Sequence, residues 1–223
     1  MRTIVLDIES RRSVDDVKGW INKHKMGIAV LCAADLDTGE EWVFSDGYPG
    51  AKPLSDLFDF LNGNVLIGHN IKTFDYRLIQ EEVAKQRSEH LRVALVDTST
   101  KRLPLGSLAQ ATLGTIKQMN GADAPLEWQT GDRKKVVEYC KDDVKKTREL
   151  FLYGMKNGYV FHMGENNERI PIDVNWKRNL EKAEIKEQHP ECIGRHKREK
   201  KWWQCIRCAS RINCIDMTPK NES

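Results

Sequence analysis

The chain has 223 residues, of which 39% are hydrophobic and 31% are charged, a composition typical of a globular protein with a buried core. Its longest apolar run, residues 27–34, is too short to cross a bilayer, and the first residues enter a strand-like sequence without a signal-peptide pattern. We therefore expect neither membrane insertion nor secretion. The net charge of +3 is too small to indicate a polyanionic partner on its own.

The first part of the chain predicts a β-hairpin followed by alternating helices and strands. Apolar and β-branched runs predict strands at residues 3–6, 27–35 and 41–45, with the last two joined across residues 36–39. The pattern then predicts a helix from Pro53 that stops at Gly63, a strand at residues 65–67, a helix at 74–85 and a strand at 93–96.

The second part predicts helices at residues 107–113 and 133–153, and the longer helix carries an apolar stripe. Two strands at residues 159–163 and 170–174 predict a second hairpin, and a charged helix follows at 175–188. Alternating strands and helices after a hairpin indicate an α/β protein with one mixed sheet and helices on its faces. We place a domain boundary near residue 189.

Five side chains form three short motifs on these elements. Asp7 and Glu9 are two residues apart on the first strand, so both project from one face of it. Asp75 follows a buried strand at the start of a helix, and Tyr139 and Asp143 are four residues apart on one face of the long helix. Taken singly, each motif also fits a plainer interpretation, namely solvated strand acids, an acid that favours the helix dipole, and an exposed helix pair.

Taken in order, Asp-x-Glu, Asn-x-x-x-Phe-Asp and Tyr-x-x-x-Asp resemble the three motifs of the DEDD exonucleases, in the subclass that carries the tyrosine. The resemblance covers about residues 1–160 and implies a ribonuclease-H-like fold, with a mixed five-stranded sheet flanked by helices. Residues 107–114, 138–144 and 158–160 are also similar to a subgroup of bacterial and phage nucleases, which implies a cytoplasmic protein of a bacterial or phage-infected cell. The implied activity is the hydrolytic removal of nucleotides from the 3′ end of single-stranded DNA or RNA.

The four acids also predict a metal site on chemical grounds. Carboxylates that converge in one pocket repel and raise each other's pKa unless cations lie between them, and hard oxygen ligands suit Mg²⁺ or Mn²⁺ better than zinc. The resemblance implies two such ions, with Asp7 bridging them, Glu9 and Asp143 completing one site, and Asp75 supporting the second. It also implies that Tyr139, as a neutral phenol, orients the attacking water.

Residues near these motifs need separate interpretations. The resemblance implies that Asn70 holds the loop before the helix acid and that Phe74 packs near the terminal base of the substrate. Asp97 follows a strand and is interpreted as a turn or helix cap. Asp142 lacks the four-residue spacing from the tyrosine and is interpreted as a solvated helix acid, and no role is assigned to His69.

Residues 189–223 differ from the rest of the chain in charge and cysteine content. Residues 193–211 carry seven basic side chains against one acidic side chain, whereas the remainder of the chain sums to −3. Four of the six cysteines lie here, two of them spaced Cys-x-x-Cys, which favours one structural zinc ion in a reducing compartment over disulfides. The predicted zinc ligands are Cys192, Cys205, Cys208 and Cys214, with His189 or His196 as substitutes.

Basic and aromatic side chains stand together just before the Cys-x-x-Cys pair, at Lys200, Lys201, Trp202 and Trp203. Such side chains can neutralise phosphates and stack on bases, or the indoles can simply pack over the zinc module. We predict that this tail holds a nucleic-acid strand while its 3′ end enters the acidic cleft. No protein partner is indicated.

The predicted organisation is an exonuclease domain over residues 1–160, a hairpin and helix extension over 161–188, and a basic zinc-binding tail over 189–223. Two other functions remain open. A ribonuclease-H-like endonuclease would use the same metal chemistry on internal bonds, and a non-catalytic nucleic-acid-binding protein would rely on the zinc tail. The sequence has neither a Gly-x-Gly-x-x-Gly turn nor a phosphate-binding Gly-Lys-Ser/Thr loop, which argues against oxidoreductase or kinase function.

Overall fold

A computed structural model of the chain describes residues 1–101, 103–115 and 120–188. The predicted zinc-binding tail therefore lies outside the described residues. The predicted zinc ligands and strand-holding residues lie there with it, namely Cys192, Cys205, Cys208, Cys214, His189, His196, Lys200, Lys201, Trp202 and Trp203.

Five strands form one mixed sheet at the centre of the fold. They are β1 (Thr3–Ser10), β2 (Ile28–Asp35), β3 (Glu41–Phe44), β4 (Asn64–Gly68) and β5 (Val93–Asp97). Their order across the sheet is β3-β2-β1-β4-β5, with β1, β4 and β5 parallel and β2 antiparallel to both of its neighbours. This order and direction are those of a ribonuclease-H-like fold, and the predicted α/β fold class is confirmed.

Helices cover both faces of this sheet, and a separate hairpin follows the longest of them. The α-helices of the described residues are α1 (Leu57–Leu61), α2 (Asp75–Ala84), α3 (Leu105–Leu113), α4 (Ala124–Thr130), α5 (Arg133–Asn157) and α6 (Trp176–Gln188). The hairpin pairs β6 (Tyr159–Met163) with β7 (Arg169–Asp173). None of the helices in the described ranges has the length and apolar content needed to cross a membrane.

Opposite faces of β1 enter two separate cores. Leu6 and Ile8 pack with the apolar sides of α1 and α2, whereas Val5 belongs to the core that contains the apolar stripe of α5. Because side chains alternate along a strand, Asp7 and Glu9 share the α5 face with Val5. The alternation of β1 therefore aims both acids at the longest helix of the fold.

β1 also extends beyond the end of its parallel neighbour β4. Residues 3–5 of β1 pair with residues 65–67 of β4, whereas the antiparallel pairing of β1 with β2 continues to Ser10. The chain leaves β4 at Gly68, so the last part of β1 is held by β2 on one side and borders a cavity on the other. This difference in strand length creates the candidate site.

Several elements differ from their predicted bounds. β1 ends at Ser10 rather than at residue 6, because the acidic side chains interrupt the apolar run without interrupting the backbone pairing. Two short 3₁₀-helices, Trp20–Lys25 and Gly121–Asp123, and the helix α4 were not predicted. Each of these segments is too short to develop a recognisable apolar period.

Candidate active site

A cavity of about 770 Å³ opens beside the free end of β1. Asp7 and Glu9 line it from β1, Asp75 lines it from the start of α2, and Tyr139 and Asp143 line it from α5. The structure thus brings together the five side chains that three distant sequence motifs single out. The two loop residues that the resemblance adds line the same cavity, namely Asn70 and Phe74.

Asp75 is held by the free edge of β1. Strand β4 ends at Gly68, and after a short loop the chain forms α2, of which Asp75 is the first residue. The buried carboxylate of Asp75 accepts hydrogen bonds from its own backbone N–H and from the N–H of Ile8. Because β4 has ended before this point, Asp75 pairs with a strand N–H that a longer β4 would have used.

The loop before α2 is held by Asp97 at the end of β5. The Asp97 carboxylate accepts hydrogen bonds from the backbone N–H groups of Asn70 at 3.0 Å, Lys72 at 3.3 Å and Ser99 at 2.9 Å. The interpretation of Asp97 as a cap is confirmed, and the cap joins two loops rather than one. The negative charge of Asp97 also helps to raise the pKa of Asp75.

Asn70 closes the turn within this loop. Its φ of +63° is left-handed, a conformation that asparagine adopts more readily than most residues. Its carbonyl accepts the N–H groups of Thr73 at 3.1 Å and Phe74 at 3.2 Å, and its side-chain oxygen accepts the Thr73 hydroxyl. Asn70 therefore sets the direction in which the chain enters α2.

Helix α5 is fastened to the sheet directly beside the acids. The thiol of Cys140 donates to the backbone carbonyl of Asp7 at 3.3 Å, and the thiol of Cys32 on β2 donates to a carbonyl of the same helix at 3.8 Å. Both thiols are free and buried. Because Tyr139 and Asp143 lie one and three residues from Cys140, this contact helps to hold them beside Asp7.

The acids raise one another's pKa. Burial raises the pKa of Asp7 well above its usual range, and the charges of Asp143 and Asp75 add to the rise. Burial also raises the pKa of Glu9, with Asp7 and Asp143 contributing. Burial raises the pKa of Asp75 to about 7, although its two backbone hydrogen bonds oppose the shift. A cavity with these properties favours the binding of cations, whether protons or metal ions.

Tyr139 is a neutral hydrogen-bond donor at this site. Burial raises the pKa of its phenol, and the charges of Asp143 and Glu9 raise it further. The phenol O–H donates to the carboxylate of Asp143. Its oxygen can therefore still accept a hydrogen bond and so orient a water molecule, but the side chain cannot act as an anionic base near neutral pH.

A buried lysine offsets part of the negative charge. Lys146 lies on α5 with its side chain only 5% exposed, and its ammonium group is 3.7 Å from Asp143 and pairs with Asp142. Burial raises the pKa of Asp143, while the hydrogen bond from Tyr139 and the charge of Lys146 oppose the rise. Asp142 is a partly buried ion-pair partner rather than the solvated acid that was expected, because Lys146 lies one helical turn away on the same face.

The donor atoms at the cavity suit a hard divalent cation. Four carboxylates supply oxygen ligands of the kind that Mg²⁺ and Mn²⁺ prefer. Within the described residues, however, no three His, Cys, Asp or Glu side chains are already arranged to hold one ion. The carboxylates line one cavity, but no three of them are close enough together to bind one ion as they stand. An ion bound between them would have to bring their oxygens closer together.

Several cavity residues carried no assignment from the sequence. His69 faces the carbonyl of Leu103 at 3.0 Å through Nε2 and the hydroxyl of Thr98 at 3.4 Å through Nδ1, so it joins two loops beside the cavity. Trp20 and Lys23 also line the cavity. Their segment has no apolar period, and its only sequence signal is a tryptophan among basic residues.

No protein-family model matches the chain, and no curated protein matches it. Among solved structures, the chain is similar to the family B DNA polymerase from the hyperthermophilic archaeon Pyrobaculum calidifontis, with 19% sequence identity and a TM-score of 0.47. The match covers 70% of this chain and 25% of that chain, so the chain spans about a quarter of the polymerase's length.

Proposed function

We propose that this protein is a metal-dependent 3′–5′ exonuclease that hydrolyses phosphodiester bonds at the 3′ end of single-stranded DNA or RNA. The proposal is carried by one observation: four carboxylates and a phenol from three distant segments line one cavity. Their identity and order are those of the motifs that resemble the DEDD exonucleases. A cavity lined by four carboxylates repels an anionic substrate unless cations are bound in it.

The proposed cofactors are two Mg²⁺ or Mn²⁺ ions. Asp7 would contact both ions, Glu9 and Asp143 would complete one site, and Asp75 would support the other. When bound, the ions supply an activated water on one side of the phosphodiester and stabilisation of the departing oxygen on the other. The raised pKa values of Asp7, Glu9 and Asp75 support this assignment, because they report carboxylates that lack a nearby positive charge.

The proposed role of Tyr139 is to position the attacking water. Its buried phenol stays protonated and is anchored through the hydrogen bond to Asp143. Because the O–H donates to Asp143, the phenol oxygen is free to accept a hydrogen bond from a water molecule beside the scissile phosphate, which can fix the direction of that water without removing its proton. Asp97 and Asn70 would contribute indirectly, because they set the position of Asp75.

The test is hydrolysis of 5′-labelled single-stranded DNA and RNA with Mg²⁺ or Mn²⁺ present. We expect the full chain to produce a ladder that shortens from the 3′ end, and we expect Asp7→Asn and Asp143→Asn to lower the rate by more than about 100-fold. Loss of an outer-shell partner alone costs about 10- to 100-fold, and these residues would contact the ions themselves. Glu138→Gln is the matched control, because Glu138 is an exposed acid next to Tyr139 that does not line the cavity.

Equal ladders from wild type, Asp7→Asn and Asp143→Asn would contradict the proposal. Closed circular single strands separate the two enzymatic possibilities, since an exonuclease leaves them intact and an endonuclease opens them. Binding of both substrates without any cleavage would instead favour a non-catalytic nucleic-acid-binding protein.

A further inference from the structure

A tryptophan at the edge of the cavity is largely exposed to solvent. Trp20 is 62% exposed, although it lines the same cavity as the carboxylates. Tryptophan is among the most buried residue types on average, so an indole left in water beside a candidate active site is unusual. Trp20 lies in the connection between β1 and β2, residues 11–27, which we call the β1–β2 loop.

The β1–β2 loop is well anchored, so the position of the indole is defined. Its two ends are joined by backbone hydrogen bonds from Arg11 to Gly27 at 3.0 Å and from Arg12 to Met26 at 3.1 Å. Met26 is buried, as is Val17 in the middle of the loop.

The turn just before the indole is also tightly specified. Ser13 and Asp16 exchange hydrogen bonds, with the Ser13 N–H donating to the Asp16 carboxylate at 2.8 Å and the Asp16 N–H donating to the Ser13 hydroxyl at 3.2 Å. Lys18 and Gly19 both adopt positive φ, at 61° and 105°. The loop thus turns sharply and places Trp20 at the start of a 3₁₀-helix.

The indole stands next to a second aromatic ring of the cavity. The rings of Trp20 and Phe74 meet at 70° with their centroids 6.3 Å apart. Phe74 immediately precedes Asp75, one of the proposed metal ligands. A base that contacts the exposed indole would therefore lie close to the candidate catalytic carboxylates.

The β1–β2 loop around Trp20 is positively charged, whereas the carboxylates that line the cavity are negatively charged. Residues 11–25 contain five Lys or Arg against two Asp, which sums to +3 with histidine neutral. Among the described residues, Lys23 is the only Lys or Arg that lines the cavity. The phosphate backbone of a nucleic acid is therefore attracted to the loop, whereas the carboxylates of the cavity accept it only when cations are present.

We propose that Trp20 and Lys23 form a binding subsite for one nucleotide of a single strand, just upstream of the nucleotide that enters the carboxylate site. The indole stacks on the unpaired base, and the Lys23 ammonium contacts the adjoining phosphate. Aromatic stacking tolerates every base and requires that the base be unpaired. The subsite therefore selects single-stranded over double-stranded substrate without reading sequence. This inference rests on the proposed function.

The same loop offers a control residue. Ile21 follows Trp20 and is 87% exposed, but it does not line the cavity. A patch that docks a protein partner would use Ile21 and Trp20 together, whereas a base-stacking subsite would use Trp20 alone.

The test is a double-mutant cycle between the protein and the substrate. Dissociation constants and KM are measured for 5′-labelled single strands that carry one abasic nucleotide at each of the last five positions. For wild type, we expect one position at which loss of the base weakens binding about tenfold, within the range for a stacked base. Trp20→Ala should weaken binding of the intact strand by a similar factor and lose all sensitivity to that abasic position.

Three further variants sharpen the test. Trp20→Phe should restore most of the affinity, because it keeps an aromatic face. Ile21→Ala should behave like wild type. Lys23→Met should weaken binding to all strands alike and reduce the slope of log affinity against log salt by about 0.7, the value for one phosphate contact on a single strand.

The outcomes separate this inference from the proposed function. If wild type shortens the strands and Trp20→Ala loses affinity at the same abasic position as wild type, the proposed subsite is wrong. The proposed exonuclease activity is then retained. If wild type binds strands with the expected Trp20-dependent profile but cleaves none, the subsite stands and the exonuclease is wrong. If Ile21→Ala weakens binding as much as Trp20→Ala, the loop is a general docking patch and the subsite is refuted.

Discussion

At the scale of single residues, Tyr139 is the side chain whose role can be tested with the smallest change. Tyr139→Phe removes only the hydroxyl that donates to Asp143. We expect the rate of hydrolysis to fall about 100-fold, as for loss of a positioned polar group at the reacting atoms, with little change in fold. Single-turnover kinetics with Mn²⁺ would measure the effect.

Tyr153→Phe is the matched control for this experiment. Tyr153 lies on the same helix, but its ring contacts Tyr159 and it does not line the cavity. A Tyr139→Phe enzyme as fast as Tyr153→Phe would show that the phenol does not position the reacting groups.

Four of the five motif residues could be predicted from the sequence because they have fixed spacings within a strand or a helix. Asp75 could be predicted only through the resemblance, because the rest of its motif lies in the loop before α2. Lys146 was missed, although its spacings of three and four residues from Asp143 and Asp142 were visible, because a lysine on a charged helix is usually solvated. Trp20 left no periodic signal at all. Its exposure depends on how the β1–β2 loop packs through Val17 and Met26, which is a property of the tertiary structure.

At the scale of elements, the end of β4 is the most constrained point of the site. A Cβ atom on Gly68 would lie 2.9 Å from Cβ of Ile71 and 3.1 Å from the carbonyl oxygen of Leu6. Both contacts are too close, and neither partner is a flexible side-chain end. We expect Gly68→Ala to lower the free energy of unfolding by about 1–3 kcal/mol, as for overpacking of a core, and to displace the loop that leads to Asp75.

Denaturant unfolding of Gly68→Ala would measure this loss. Gly121→Ala is the control glycine, because a Cβ there would meet the hydroxyl oxygen of Tyr139 at an ordinary 3.5 Å. Equal free energies of unfolding for the two variants would show that the end of β4 accommodates the added methyl group without loss of stability.

Most elements could be predicted because their apolar periods are long or their ends carry clear signals. The long helix was predicted from residue 133, where Asp132 caps it through the N–H of Lys135 at 3.1 Å. It runs on to Asn157, four residues beyond the predicted end, and stops at Gly158 in the left-handed conformation. The short helix α4 and the 3₁₀-helices were not predictable, since packing against neighbouring elements stabilises them rather than their own sequence pattern.

At the scale of the whole molecule, the repelling acids make stability depend on pH and on metal. The pKa of Asp75 rises from a usual value of 3.8 to about 7 on folding, so the folded state binds its proton more tightly than the unfolded state. Such a group stabilises the fold below pH 4, and this contribution is lost as the pH rises through 7. Each unit of pKa is worth about 1.4 kcal/mol, so the titration of Asp75 together with the acids around it implies a loss of a few kcal/mol.

We therefore expect the chelated protein to have a lower free energy of unfolding at pH 8 than at pH 5. Saturating Mg²⁺ or Mn²⁺ should recover much of the difference, because bound cations remove the repulsion and bind the folded state preferentially. Asp75→Asn should reduce the pH dependence without abolishing it, since it keeps the acceptor oxygen for Ile8 and removes one titration, while Asp7 and Glu9 still have raised pKa values. Urea unfolding at both pH values, with chelator and with metal, would test this, and a chelated wild type that is more stable at pH 8 would contradict it.

The cleft exists because one strand is shorter than its neighbour, with β4 ending at Gly68 while β1 continues to Ser10. The width of the cleft is therefore set by how far β1 extends beyond β4. It does not depend on a hinge between lobes or on the size of the acidic side chains. A longer β4 would use the Ile8 N–H that the Asp75 carboxylate now accepts, so narrowing the opening from this side would move that carboxylate. The size of substrate that the cleft admits is therefore tied to the position of one of its acids.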